Sequence, residues 1–371
     1  MPSDPANSYL RKRTTLSVIS IGLTLIYIAA LAFTALRKPF MHLASVSHNQ
    51  YLALLIFVFS VEILFSLIKF PMDYYADFVV EHRFSLSNQS FLRWFSRKLK
   101  GAIVGGIIGV VVLMAFYFLL VNSPGLWWLL FAVFFFLFQV VVAQLFPALI
   151  LPLFYKLKPL DEEELKSRLQ KLVGRFGYRM SGVFSFDLSR ETKKANAAMT
   201  GLGRTRKIII SDTLLESFSP DEIEVVMAHE LGHLVKHHMM KGIILSGIVS
   251  TVGFFIVARL YSAYAGAIGV PIYGLAALPF LALLLVALGI IAMPIGNFFS
   301  RRIEHEADRF ALSTTGKVED FIGTMRKLGR LNLSPENPPA WIEKIFFNHP
   351  SIGARIRYAL EGNGNSEGAS K

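Results

Sequence analysis

The stretch SPDEIEVVMAHELGH, residues 219–233, combines a helix start with two histidines that share one helical face. Ser219 can cap the helix, and Glu222 can return a hydrogen bond to the backbone at the cap. His229 and His233 are four residues apart, so both imidazoles extend from the same side of that helix. The spacing predicts that the two rings bind one metal ion.

Glu230 lies next to the first histidine, and the resulting His-Glu-x-x-His pattern is typical of metalloproteases. In such sites the imidazoles hold zinc and the glutamate takes a proton from water at the metal. The chain has no cysteine, which excludes thiolate ligands and cysteine nucleophiles. We expect one Zn²⁺ per chain with Glu230 as the catalytic base. A chance occurrence of the pattern on an amphipathic helix is the alternative.

A catalytic zinc site usually has three protein ligands and one open position for water. His237 continues the face of the first two histidines. It lies about 12 Å along the helix axis from His229, at 1.5 Å per residue, which is too far to share the ion. We therefore expect His237 and His238 to be solvated side chains.

Better candidates for the third ligand lie in the later run RRIEHEAD, residues 301–308. Glu304 and Asp308 share one helical face, whereas Glu306 points away from it. One of the two carboxylates could bind the metal while the other accepts a hydrogen bond from a ligand histidine. The spacing does not say which, and a solvated charged helix is the alternative.

Composition places the chain in a membrane. Hydrophobic residues make up 53% of the 371 residues and charged residues only 17%, against about 25% in soluble proteins. A spanning helix needs about 20 mainly apolar residues. Six segments qualify, and Pro147 and Pro152 should kink or shorten the fourth. The segments are about Thr15–Leu36, Tyr51–Phe70, Gly101–Val121, Leu126–Phe154, Gly242–Ala265 and Leu275–Phe298.

The net charge of +12 fits orientation in an anionic bilayer better than nucleic-acid binding, because the cations flank the apolar segments. Basic residues precede the first span and fill the link between the second and third, whereas the links after the third and fifth spans have none. The positive-inside rule therefore predicts that both termini and residues 155–241 are cytoplasmic. The membrane would be the inner membrane in a bacterium or the endoplasmic reticulum in a eukaryote.

The segment 155–241 is predicted to fold as part of an α+β lobe. It has a helix over Asp161–Phe176 and strands over Val183–Asp187 and Arg206–Ser211. The predicted fold is mainly α: a polytopic membrane protein of about six spans with a cytoplasmic zincin-like lobe. The expected parts are membrane residues 1–154, a lobe at 155–241, two spans in 242–299, a second lobe part at 300–360 and a disordered tail at 361–371.

From about Pro71 to Tyr358 the chain resembles the type I CAAX prenyl endopeptidases, membrane gluzincins that trim the C-terminal tripeptide from prenylated proteins. The motifs that carry the resemblance are HELGH (229–233), EHEAD (304–308), NAAMTG (196–201), KIIISDTLL (207–215), LFPALILPLFYKLKPL (145–160) and NHPSIGARI (348–356).

The resemblance implies that Glu304 is the third zinc ligand and that Asp308 is its neighbour in the outer shell. It also implies that Asn196, on an edge strand, helps to hold the substrate backbone, and that His349 and Arg355 lie near the metal. Both could donate to the oxyanion that develops during peptide hydrolysis. For His349, the alternative is that it only begins the last helix.

The chain departs from the family pattern at three places. FSLS at residues 84–87 replaces Phe-Gly-Phe-Asn, Lys194-Ala195 replaces His-Ser, and six spans replace seven. These departures leave the metal site intact but bear on the substrate's lipid and on the closure of the membrane domain.

The substrate is accordingly left open between prenylated C-terminal peptides and a broader set of membrane or misfolded proteins. A transporter or scaffold with a structural metal is an alternative of another class. Glu62, in the second span, would suit it, because an acid at membrane depth usually faces a cavity or a partner. Pairing of Glu62 with Lys69, Gln139 or Gln144 is equally compatible with the sequence.

Overall fold

The structure is a computed structural model that describes residues 4–201 and 203–368. Within those residues, six helices are long and apolar enough to cross a membrane, which confirms the predicted number of spans. The helices up to residue 154 are α1 (Pro5–Phe33), α2 (Lys38–Ala44), α3 (Gln50–Tyr74), α4 (Val80–Arg83), α5 (Phe91–Asn122), α6 (Trp127–Leu145) and α7 (Leu151–Phe154).

Prolines shape two of these helices. A single π-helical turn, Tyr75–Val79, follows Pro71 and joins α3 to α4, so the second span continues to Arg83. The fourth span ends at Leu145, and a second π-helical turn follows it. This early end agrees with the prediction from the prolines, which lack the N–H that a helix interior requires.

The largest buried cluster of the membrane helices lies at the end of the bundle away from the lobe. Elsewhere few side chains of the spans are buried by protein. In the most apolar 18-residue window of each span, only 11–28% of the residues are buried. Side chains without protein neighbours suit a lipid solvent, which is as apolar as they are. The cluster includes Leu54, Phe57, Phe116, Leu120, Trp127, Phe131, Tyr261, Ala265, Leu278 and Leu281.

The lobe contains one four-stranded sheet, with strand order β1-β2-β4-β3. The central pair, β2 and β4, is parallel, whereas β1 and β3 are antiparallel to their neighbours. This order makes β3 an edge strand. The strands are β1 (Leu157–Pro159), β2 (Gly182–Phe186), β3 (Ala197–Thr200) and β4 (Lys207–Ser211).

The remaining helices complete the lobe and the last two spans. The predicted helix start is confirmed, because Ser219 and Glu222 form both hydrogen bonds of a capping box. These helices are α8 (Glu163–Gly174), α9 (Asp212–Ser217), α10 (Pro220–Val235), α11 (His238–Ala267), α12 (Leu278–Thr315), α13 (Val318–Leu331), α14 (Ala340–Phe346) and α15 (Ile352–Gly368).

Segments from both sides of the last two spans share the core of the lobe. Leu231 of α10 and Ala311 of α12 belong to one buried cluster. Gly232 allows this approach, since a Cβ there would lie 3.2 Å from the Cα of Ala307 and 3.2 Å from the Cβ of Phe310. A larger residue would force α10 and α12 apart.

The backbone of α15 is helical to Gly368. The disordered tail expected from residue 361 stays a prediction. Residues 369–371 of that predicted tail lie outside the described residues.

The membrane domain is joined to the lobe beside β3. The backbone N–H of Lys193 donates to Leu86 at 3.0 Å, and that of Asn88 donates to Glu191 at 2.9 Å. The ammonium of Lys194 contacts the Glu81 carboxylate and the Tyr9 hydroxyl, both at 3.2 Å. Lys194, one of the family departures, thus ties the segment before β3 to two membrane helices.

Candidate active site

Three side chains from two helices converge at the centre of the lobe. The Nε2 atoms of His229 and His233 are 3.1 Å apart. One carboxylate oxygen of Glu304 lies 3.2 Å from the His229 nitrogen, and the other lies 3.4 Å from the His233 nitrogen. The site therefore unites residues separated by about seventy positions in the chain, as the sequence predicts.

The donor set fits a metal cation. Atoms bound tetrahedrally at about 2 Å from one ion lie roughly 3.3 Å from each other, close to the three separations seen here. His229 donates through Nδ1 to Asp308, so the Nε2 of its neutral ring is the atom that could bind a cation. Two imidazole nitrogens and a carboxylate within 3.1–3.4 Å of one another can hold either a proton or a metal cation.

Asp308 and Arg355 support His229 from behind. The Nδ1 of His229 is 2.8 Å from the Asp308 carboxylate, which is fully buried. Arg355 donates to both oxygens of that carboxylate, at 2.8 Å and 2.5 Å. Burial alone would lower the pKa of His229, but its hydrogen bonds with Asp308 and Glu304 raise that pKa to about 9. The surroundings that hold a proton there also favour a metal cation.

Glu230 is recessed in the same cleft. Burial raises the pKa of its carboxyl group, opposed by the charges of His229, His349 and Arg355. A raised pKa brings a glutamate nearer to the working pH of a general base.

His349 and Arg355 occupy different places relative to the ligands. The Nδ1 of His349 is 2.9 Å from Glu304, and its side chain is 55% exposed, so the ring faces the open cleft. Arg355 is buried, and two of its nitrogens donate to Asp308. This geometry favours His349 as a donor to substrate and Arg355 as a support for Asp308.

The cleft beside these residues has a volume of about 390 Å³. Asn196 directly precedes the edge strand β3, is exposed and lines one wall. The outer side of β3 has no strand partner among the described residues, which leaves room for an extended peptide to add to the sheet. Apolar side chains that also line the cleft are Phe321, Met325, Leu328, Phe347 and Ile352.

The contacts of two residues near the site were not predicted from the sequence. His238 was expected to be solvated, and this is wrong: the residue is 4% exposed, and its ring contacts His233 at 2.9 Å. Glu306 points away from Glu304 as expected, but it contacts the far side of His238 at 3.2 Å. The only sequence signal was the position of His238 directly after the metal-binding helix.

Glu62 has none of the partners considered for it. Ser66 donates to its carboxylate at 3.4 Å, while Lys69 pairs with Asp73 and Gln139 accepts from Ser246.

The fold and the site define a class: a multi-pass membrane metallopeptidase. Residues 159–362 match the model of Peptidase family M48, and residues 4–156 match that of the CAAX prenyl protease N-terminal region with five membrane helices. The first match covers more than half of the chain, so the chain belongs to Peptidase family M48. Four of the six candidate spans begin in the N-terminal region, where the family description gives five.

Individual relatives agree with this assignment. The chain is 29% identical to the uncharacterized metalloprotease YhfN of Bacillus subtilis, over 82% of this chain and 72% of the relative. It is 28% identical to CAAX prenyl protease 1 of Saccharomyces cerevisiae, over 78% and 68%. The crystal structure of S. mikatae Ste24p matches with a TM-score of 0.85 and 25% identity, over 95% of this chain and 88% of that one.

The chain is therefore an integral membrane metalloendopeptidase. Its membrane embedding, its peptide substrate class and its need for a metal follow from the family and the spans. The transporter or scaffold alternative is not kept.

Proposed function

We propose that the chain is a zinc endopeptidase that removes C-terminal peptides from prenylated proteins. His229, His233 and Glu304 hold the ion, and the single observation that carries the proposal is the 3.1–3.4 Å spacing of their ligand atoms. Zinc suits two imidazoles and one carboxylate with an open fourth position. The substrate class is supported by relatives named CAAX prenyl protease 1.

In this mechanism each residue has a defined task. The chemistry that bound zinc supplies is polarisation of a water molecule and of the scissile carbonyl. Glu230 takes the proton of the attacking water and returns it to the leaving amine. His349 donates to the developing oxyanion, and such a donor contributes about 3 kcal/mol. Asn196 holds the substrate backbone beside β3, while Asp308 and Arg355 keep His229 oriented.

The lobe is proposed to be cytoplasmic, as are both termini. Tyr9 contacts Glu81, and Lys194 of the lobe contacts both, so the first helix, the link after the second span and the lobe share one side. That side carries the basic residues, in accord with the positive-inside rule. We also propose the division into a membrane part, residues 1–154, and a lobe built from 155–241 and 300–360 around the two spans in 242–299.

The first test is Glu230→Gln in purified full-length protein. The variant should keep one zinc per chain and lose peptide hydrolysis, because the amide cannot accept the proton of the attacking water. Zinc content by mass spectrometry and cleavage of a reporter peptide are the two measurements. Full activity in the variant would refute the mechanism, and absence of zinc from the unsubstituted protein would refute the metal.

The second test concerns the substrate. A farnesylated peptide ending in a CAAX sequence should be cleaved with a higher kcat/KM than the same peptide without the lipid. Equal values would favour the second candidate, a broad-specificity membrane protease for quality control. That candidate is kept because the Bacillus relative carries no prenyl protease name and because Lys194-Ala195 departs from the family pattern beside Asn196.

A further inference from the structure

The link between α10 and α11 brings His238 into contact with His233 of the metal-binding helix. His237 has φ 55° and ψ 37°, in the left-handed region, which residues other than glycine adopt rarely. This turn separates α10 from α11. It places His238, only 4% exposed, against His233.

The His238 ring bridges His233 and a carboxylate. Its Nδ1 lies 2.9 Å from the Nδ1 of His233, and its Nε2 lies 3.2 Å from the Glu306 carboxylate. Lys241 donates to the same carboxylate oxygen at 2.9 Å. The chain of contacts thus runs from the protein surface through Glu306 and His238 to the side of His233 that faces away from Glu304.

These contacts determine which nitrogen of each ring carries hydrogen. A carboxylate only accepts, so the Nε2 of His238 must donate to Glu306, and in the neutral ring Nδ1 is then an acceptor. His233 must therefore donate from its own Nδ1. This leaves the Nε2 of His233 with a free lone pair directed at His229 and Glu304.

We propose that His238 and Glu306 are positioning residues that hold His233 in the tautomer and orientation required of a metal ligand. Asp308 does the same for His229 through a direct hydrogen bond, whereas His233 is reached through a bridging imidazole. The inference rests on the proposed metal site. It adds that the first residue of the fifth span and a residue of the sixth control the affinity of that site.

The test measures zinc affinity of the full-length protein in detergent by competition with a chromogenic chelator. His238→Phe removes both ring nitrogens while keeping a planar side chain, and it should raise the zinc Kd about tenfold or more, since outer partners typically contribute 10–100-fold. His238→Asn should retain most of the affinity, because its amide oxygen can accept from His233 in place of Nδ1. Glu306→Ala should weaken binding in the native background but not in the His238→Asn background.

His237→Asn is the matched control, because this neighbouring histidine is exposed and asparagine tolerates left-handed backbone. Its zinc Kd should equal that of the unsubstituted protein. The inference is overturned if His238→Phe binds zinc as tightly as the native chain, if His237→Asn weakens binding equally, or if Glu306→Ala acts the same in both backgrounds. Failure of the native chain to bind zinc would instead refute the proposed function, so the two failures are distinguishable.

Discussion

The catalytic lobe and the membrane bundle differ in how they use their apolar side chains. In the lobe, Leu169, Ile208 and Leu231 belong to one continuous buried core. In the bundle, only 11–28% of the most apolar 18-residue window of each span is buried, and the main buried cluster is confined to the end away from the lobe. Water excludes apolar groups from the lobe surface, whereas lipid accepts them along the spans.

Helix α12 contains both environments in one element. Its membrane part exposes Ile291, Ile295 and Phe298, and its final turns bury Glu304 and Asp308. The same kind of substitution should therefore have a large effect at one end of this helix and little effect at the other.

The largest effect is expected for Glu304→Ala. Loss of the only carboxylate among the three proposed ligands should reduce zinc affinity by far more than the 10–100-fold typical of an outer partner. Peptide hydrolysis should fall to background, and metal content and cleavage rate are the measurements. Phe298→Ala, on the exposed part of the same helix, is the control and should keep both. A Glu304→Ala protein that still held stoichiometric zinc would remove this residue from the site.

Asp308→Asn should have the next largest effect. The substitution leaves the buried guanidinium of Arg355 without a charged partner, which destabilises a protein by about 3–5 kcal/mol. It should also weaken zinc binding by roughly 10–100-fold, because His229 loses its anionic acceptor. Thermal unfolding and chelator competition measure the two effects.

A second substitution separates these two contributions. Adding Arg355→Gln to Asp308→Asn removes the unpaired charge, so stability should recover in part while zinc affinity stays low. Recovery of zinc affinity together with stability would mean that Asp308 acts through folding alone.

Two leucines compare packing in the two regions directly. Leu169 is fully buried in the lobe, whereas Leu67 in the second span is 67% exposed. Leu169→Ala should lower the free energy of unfolding by about 2–5 kcal/mol, and Leu67→Ala should change it by less than about 0.5 kcal/mol. Chemical denaturation in detergent provides the measurement. Equal destabilisation would show that Leu67 packs against protein in the folded bundle.

The sequence predicts the features that depend on local spacing or on composition. Ser219 and Glu222 start α10 through a contact between residues three apart, and His229 and His233 share a face for the same reason. Apolar runs reveal the spans because lipid contact requires no specific partner. The spacing also marked Glu304 and Asp308 as the candidates for a third ligand and an outer partner, and the family resemblance assigned one role to each.

Contacts that depend on the path of the chain could not be predicted in this way. His238 reaches His233 because His237 adopts a left-handed conformation. A histidine in the sequence does not predict that backbone conformation. Lys194 meets Glu81 across 113 positions of the chain. The pairing of Arg355 with Asp308 was also not predicted. The sequence alone does not distinguish an arginine that binds an oxyanion from one that pairs with a carboxylate.

The smallest effect is expected at the joint between the two regions. Lys194→Met removes the contacts of the ammonium with Glu81 and Tyr9. The side chain is 35% exposed, so the loss should be within about 0.2–1 kcal/mol. The neighbouring backbone hydrogen bonds from Lys193 to Leu86 and from Asn88 to Glu191 remain.

Lys193→Met is the matched control, because the side chain of Lys193 is exposed. Thermal unfolding and the KM for peptide cleavage are the measurements. Separate unfolding transitions for the lobe and the spans, together with a raised KM, would contradict the prediction. They would show that the backbone hydrogen bonds of Lys193 and Asn88 do not hold the two regions together.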